Sequence, residues 1–148
     1  MPAEAALTPD SCNCFAIRAA ARHVSQFYDQ HLAPAGLRTT QFSILMKLKR
    51  LGALTINRLA EDMAMDRTTL GRNILPLERD GLIAIDPAPR DRRAKELRLT
   101  KAGEKRLQAA TKAWSRAQVE FETVFGPARA AEMRSVMRAV VATELEIR

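Results

Sequence analysis

Apolar residues recur along this chain at spacings of three and four, punctuated by glycine, proline and short hydroxyl side chains. From Cys14 to Leu32, Ile17, Ala20, Val24 and Phe27 form the stripe of an amphipathic helix. Pro34 and Gly36 end it, because proline lacks an amide hydrogen and glycine tolerates the turn. Thr39 or Thr40 is placed to cap a second helix that carries Phe42, Leu45 and Leu48 and stops at Gly52. A short helix after Thr55 turns Leu59, Ala60 and Met63 inward. Asp66 caps another, which reaches Asp80 and stops at Gly81. Between residues 82 and 99 the period changes. Leu82-Ile83-Ala84-Ile85 and Lys95-Glu96-Leu97-Arg98-Leu99 read as two short strands around a Pro87–Arg93 loop too polar and proline-rich for helix. Thr100 caps a long helix to Phe125, broken by Gly126-Pro127, and a last helix fills 128–147. Within the long helix Leu107, Ala110, Trp114, Ala117, Phe121 and Val124 make a seam like that of a coiled coil.

Helix, short turn, helix and two-stranded hairpin is the order of a winged helix-turn-helix, which needs a helix packed at its back and free at its front to enter a major groove. With Leu70 at zero and ~100° per residue, Ile74 and Leu77 fall at about 40° and −20°, whereas Thr68, Arg72 and Arg79 fall at about 160°, 200° and 180°. Short hydroxyls at a helix start suit phosphates or base edges, and arginine reaches a guanine edge. A merely solvated face would look the same. The loop shifts the balance. From Ala88 to Arg106 eight bases stand against three acids, most of the surplus of the whole chain. Arginines at a hairpin tip can enter a minor groove. Asp91, two residues from Arg93, is expected to hold that guanidinium in one rotamer.

Composition narrows the field further. The 148 residues suffice for one domain, and 24 Lys and Arg against 17 Asp and Glu give a net charge of +7, which favours an anionic partner. No apolar run approaches the ~20 residues of a membrane span, and Met1 to Ser11 lack the layout of a signal peptide. A cytoplasmic protein with two thiols follows. A Gly-rich phosphate loop, a nucleophile elbow and a metal-ligand set are all missing from the sequence, so it reads as no enzyme and implies no cofactor. His23 falls on the opposite helix face from Cys14, which leaves Cys12 and Cys14 too few ligands for a metal.

The stretch from Leu54 to Gly103 resembles the MarR family of winged-helix transcription regulators. The resemblance is carried by Leu59-Ala60-Glu61, by Leu77-Glu78-Arg79-Asp80-Gly81-Leu82-Ile83, by Asp91-Arg92-Arg93 at the hairpin tip and by Leu99-Thr100-Lys101-Ala102-Gly103. It implies a mainly α fold with a small β-hairpin wing, in which N- and C-terminal helices intertwine as a dimerisation domain. The whole chain, 1–148, would be one such unit, with a DNA-binding lobe at 38–100 and dimerisation helices at 12–34 and 101–148. The partner would be double-stranded DNA carrying a pseudo-palindromic operator, held by a homodimer. Arg58, Arg67, Thr68, Thr69, Arg72 and Asn73 are the candidates for the helix-turn-helix contact, and Arg90, Asp91, Arg92 and Arg93 for the wing. Two positions depart from the pattern: Ala64 stands where such turns often have glycine, and Pro76 lies inside the recognition helix, where it should introduce a kink. The dimer also follows from the residues alone, since seams on the first, fifth and sixth helices exceed what a ~50-residue winged helix can cover. A monomeric bundle beside the DNA-binding unit is the alternative.

Cys14-Phe15-Ala16-Ile17 resembles the reactive-cysteine segment of the organic-hydroperoxide-sensing OhrR branch, and Tyr28 matches one of its thiolate-binding tyrosines. Tyr28 shares a helix face with Cys14 but stands ~21 Å along the axis, so it could meet Cys14 only across a dimer. Thr39 occupies the second tyrosine position. Cys12 or an external thiol could resolve a sulfenate on Cys14. The plainer reading makes Cys14 a small buried hydrophobe and Cys12 an exposed bystander. A competing sensor would bind a small aromatic effector in a cleft lined by Phe15, Arg18, Tyr28 and Phe42. Function therefore reads as a DNA-binding regulator, a repressor released by a small molecule or by oxidation. A non-specific architectural nucleic-acid binder is the reading from another class.

Overall fold

A computed structural model describes residues 7–147. Among the described residues six α-helices accompany a three-stranded antiparallel sheet, with two short 3-10 turns besides: α1 (Asn13–Leu32), α2 (Thr39–Leu51), β1 (Leu54–Thr55), α3 (Ile56–Asp62), α4 (Arg67–Arg79), β2 (Ile83–Ala88), β3 (Asp91–Leu99), α5 (Lys101–Phe125) and α6 (Pro127–Ala142). The mainly helical winged fold is the expected one. Among the described residues no helix is long and apolar enough to cross a membrane.

The differences are local, and each has a physical reason. Arg38, not a threonine, stands at the cap of α2, with its main-chain N–H donating to Gln41 Oε1 at 3.0 Å. Thr39 opens the helix, and its free N–H is taken by Asp29 Oδ1 of α1 at 2.7 Å, a partner ten residues upstream. The sheet has order β1-β3-β2, and β1 places Leu54 opposite Leu97 and Thr55 opposite Glu96. The wing loop is shorter than the sequence suggests, because Pro87 and Ala88 belong to β2 and Asp91–Arg93 to β3. Proline is tolerated there because β2 is an edge strand with one unpaired side. The last helix stops at Ala142 instead of 147, and Thr143 leaves it in extended backbone. Despite Pro76, α4 runs unbroken to Arg79.

One core joins the end of α1 to the winged lobe and to α5. Leu32 of α1, Phe42 and Leu45 of α2, Leu59 of α3, Leu70 and Leu77 of α4, Leu97 of β3 and Leu107 of α5 are all buried in it. Most of the α5 seam is covered within the chain, with Trp114 stacked on Phe42 at 5.8 Å between ring centres. Only the seam's end, Val124, is left at 86% exposure.

A clasp fixes the wing to the recognition helix. The Thr100 hydroxyl accepts from Gly103 N at 3.0 Å, capping α5, and donates to Gly81 O at 2.7 Å. Its main-chain N–H reaches Leu82 O at 3.1 Å. A Cβ at Gly103 would lie 2.0 Å from that same Leu82 carbonyl oxygen. Close approach therefore demands glycine here, and the Leu-Thr-x-x-Gly pattern is the sequence of this clasp.

Candidate nucleic-acid interface

The recognition helix α4 is seated by Leu70, Ile74 and Leu77, all buried, as their spacing implies. Its start is organised by Asp66, whose Oδ2 accepts from Thr69 N at 2.9 Å and whose Oδ1 accepts from the Thr69 hydroxyl at 2.6 Å. The Thr69 hydroxyl, and then its amide, hold the Asp66 carboxyl below the ordinary carboxylate range. Thr69 is thus committed to the cap, and Asn73 donates its amide to Thr69 O at 2.9 Å. Arg67, Thr68 and Arg72 are exposed, and they lie opposite the buried stripe or toward the helix start. Arg58 is exposed on α3, 3.8 Å from Asp62, an i,i+4 pair too long and too solvated to restrain it.

At the wing tip Arg90, Asp91, Arg92 and Arg93 are all exposed, with Ala88 opposite Asp91 across a two-residue turn. Asp91 does not do what the sequence suggests. Its Oδ1 accepts from the main-chain N–H of Arg93 at 3.0 Å, so it shapes the backbone of the tip and leaves the guanidinium free. Such a turn-making carboxylate is a local habit of aspartate, and a signal that charge arithmetic overlooks. Lower on the wing, Arg98 Nε meets Asp86 at 3.4 Å.

The effector candidates separate. Tyr28 and Phe42 line a cleft of about 620 Å³ between α1, α2 and α5, together with Trp114, Phe121, Met46 and the cations Lys47, Arg50 and Arg134. Phe15 and Arg18 are not in it; Phe15 is 64% exposed on the first turns of α1. The cations that replace Arg18 come from α2 and α6, and no helical period links them to Tyr28 in the sequence. The Tyr28 hydroxyl donates to Gln118 of α5 within its own chain. Burial, and then the Glu122 carboxylate, raise its pKa against the opposing Arg134. Cys12 and Cys14 are both free and exposed in the chain, so Cys14, in the first turn of α1, is not the buried hydrophobe of the plainer reading; the Cys12 sulfur caps α1 by accepting from Phe15 N at 3.4 Å. Among the described residues no cluster of His, Cys, Asp and Glu could hold a metal ion.

A family model described as the MarR family matches residues 37–95. No curated protein sequence matches the chain. The chain is similar to the M. tuberculosis transcriptional regulator MosR, solved in complex with DNA, at 35% identity over 90% of this chain and 99% of that one, with a TM-score of 0.78. It shares its fold with BpsR of Bordetella bronchiseptica, whose DNA binding is regulated by 6-hydroxynicotinic acid (TM-score 0.82, 20% identity, 93% and 99% of the two chains). A mutant MarR from E. coli complexed with operator DNA has the same fold (TM-score 0.75, 18% identity, 84% and 90%).

Proposed function

Since the chain belongs to the MarR family of transcriptional regulators and is not an enzyme, we propose that it is a sequence-specific repressor holding a pseudo-palindromic operator as a homodimer. One observation carries this reading. A helix seated by Leu70, Ile74 and Leu77 offers Thr68 and Arg72 on its free side, in the same lobe as a wing tipped by Arg90, Arg92 and Arg93. Hydroxyl and guanidinium groups suit base edges and phosphates of the major groove, and tip arginines suit the minor groove. Arg58 and Arg67 add phosphate contacts that set register. Residues 38–100 form the DNA-binding lobe, and 12–34 with 101–148 the dimerisation helices.

Release follows from a ligand that favours a dimer with mis-spaced recognition helices; a coupling of ~1–3 kcal/mol is typical. An aromatic acid fits the cleft, where Tyr28, Phe42 and Trp114 supply walls and Lys47, Arg50 and Arg134 supply positive charge. A second reading, oxidation at Cys14, is favoured by the exposure of its free thiol in the first turn of α1, next to the equally free Cys12. Cys14→Ser then abolishes any hydroperoxide-triggered release; a serine variant that still lets go of DNA on oxidation removes that reading.

A gel-shift on the DNA upstream of the chain's own coding sequence, with cumene hydroperoxide and a panel of aromatic acids, tests the whole. The expected result is a complex that survives excess unrelated duplex and dissociates with one effector class. A complex equally strong on any duplex would make the protein an architectural binder and overturn sequence-specific repression.

A further inference from the structure

The face of α4 opposite the core carries one residue that neither cap, core nor charge explains. Leu75 is 64% exposed, while Leu70, Ile74 and Leu77 fill the buried side at 0%, 3% and 1%. At ~100° per residue Leu75 lies about 20° from Thr68 and about 60° from Arg72 around the helix, so it belongs to their stripe. A branched apolar side chain in one stripe with Thr68, Arg72 and Arg79 gains nothing from water. Of the groups presented by a major groove, the one apolar feature is the 5-methyl of thymine.

We propose that Leu75 is a specificity-determining residue that packs on a thymine 5-methyl in each operator half-site. The proposal rests on the reading of α4 as the element that enters the groove. It also fixes an order. Thr68 and Leu75 are seven residues apart, ~10.5 Å along the helix, which is about three base steps of ~3.4 Å. Arg72 lies between. The half-site therefore carries its Leu75 thymine about three base pairs beyond the base met by Thr68, with the base read by Arg72 in the interval.

The test begins with a duplex selected by the wild-type protein from a randomised pool. Each thymine of the selected site is then replaced in turn by uracil, which removes the methyl and keeps every hydrogen-bonding group. Binding of wild type and Leu75→Ala is measured at fixed salt. The expected result is one thymine per half-site whose replacement weakens wild type about four-fold, the worth of one buried methyl. Leu75→Ala should show at least that loss on the thymine duplex and no further loss on its uracil counterpart. The exposure of Leu75 keeps the variant folded, which an unchanged circular dichroism spectrum and Tm verify. A half-site without thymine, additive losses, or unchanged binding of Leu75→Ala overturns the proposal. So does a loss of dimer mass in Leu75→Ala, which would assign the leucine to a protein contact. Failure to select any site sinks the DNA-reading function itself, a different result from a selected site indifferent to Leu75.

Discussion

Ala64 has φ 50°, and it is the one non-glycine with positive φ among the described residues. It sits in the turn between α3 and α4, where Met65 N reaches Ala60 O at 2.9 Å and Ala64 N reaches Glu61 O at 3.0 Å. A left-handed alanine costs ~1–2 kcal/mol, and the greater freedom of an unfolded glycine returns part of that. Ala64→Gly is expected to raise unfolding stability by about 0.5–1 kcal/mol, read from the midpoint of a urea titration. The departure at this position was visible in the sequence; the strain needed the backbone. At the wing the reverse holds. The exposed place of Arg93 near the wing tip was legible from its pattern, but the bond that Asp91 makes was not, because a carboxylate beside an arginine points equally to its side chain and to its main-chain N–H. Since Asp91 grips the backbone, Arg93→Ala removes the guanidinium and leaves the turn intact. Operator binding should weaken by about 1–3 kcal/mol, measured by fluorescence anisotropy at one salt concentration. An unchanged Kd would take the wing tip out of the interface.

Between elements, two contacts lend themselves to test. Gly103→Ala forces a Cβ to 2.0 Å from Leu82 O and 2.7 Å from Leu99 Cδ1, so the start of α5 must move off the wing. The expected loss is about 2–3 kcal/mol, seen as a lower urea midpoint with unchanged slope. His31 joins α1 to α5 differently. Its Nδ1 lies 3.0 Å from Phe27 O and its Nε2 2.9 Å from Glu120 Oε2. Both partners accept, and a neutral imidazole donates from only one nitrogen, so the arrangement suits the imidazolium. The Phe27 carbonyl first, then Glu120, raise its pKa over the opposing effects of burial and Arg116. A raised folded pKa adds stability that is complete below the unfolded value of ~6.5 and lost as pH rises through the folded one. The Tm gap between wild type and His31→Gln should accordingly be larger near pH 5.5 than at pH 8, and added salt should shrink it. Helices of this fold were legible because each carries its own stripe and stop. Strand β1 was not, since two residues have no period and Leu54–Thr55 are strand only by facing Leu97 and Glu96. The Asp29 carboxylate that takes the Thr39 N–H at the start of α2 escaped too, because it lies in another helix.

Across the whole molecule, exposed apolar surface and surplus positive charge concentrate in different regions, sharing only α5, whose start is basic and whose end is apolar. The wing and the start of α5 hold most of the surplus of +7, whereas exposed large apolar side chains gather on the terminal helices: Phe15 and Ile17 on α1, Val119 and Val124 on α5, and Val136, Met137, Val140 and Val141 on α6. The cleft cations Lys47, Arg50 and Arg134 were illegible in the sequence because α2 and α6 meet α1 only in the folded chain. The sequence read the α5 seam as surface for a second copy, yet Leu107, Ala110 and Ala117 are buried within the chain and Trp114 and Phe121 are half-buried beside the cleft. For the proposed homodimer the exposed apolar residues of α6 are one candidate surface, and Arg134 ties that helix to α5 through Glu122 at 3.1 Å. A two-fold interface repeats each substitution in both copies, so one carboxylate on this face would be buried twice without a counter-ion, at a cost that grows with desolvation. Val140→Glu is therefore expected to weaken self-association at least tenfold, seen as a shift toward protomer mass in sedimentation at micromolar concentration. Its 40% exposure in the single chain leaves the protomer folded, so binding to an isolated half-site should persist while tight binding to the full operator is lost. A dimer unmoved by this change would place the two-fold contact elsewhere and leave the α6 face without a role in spacing the recognition helices.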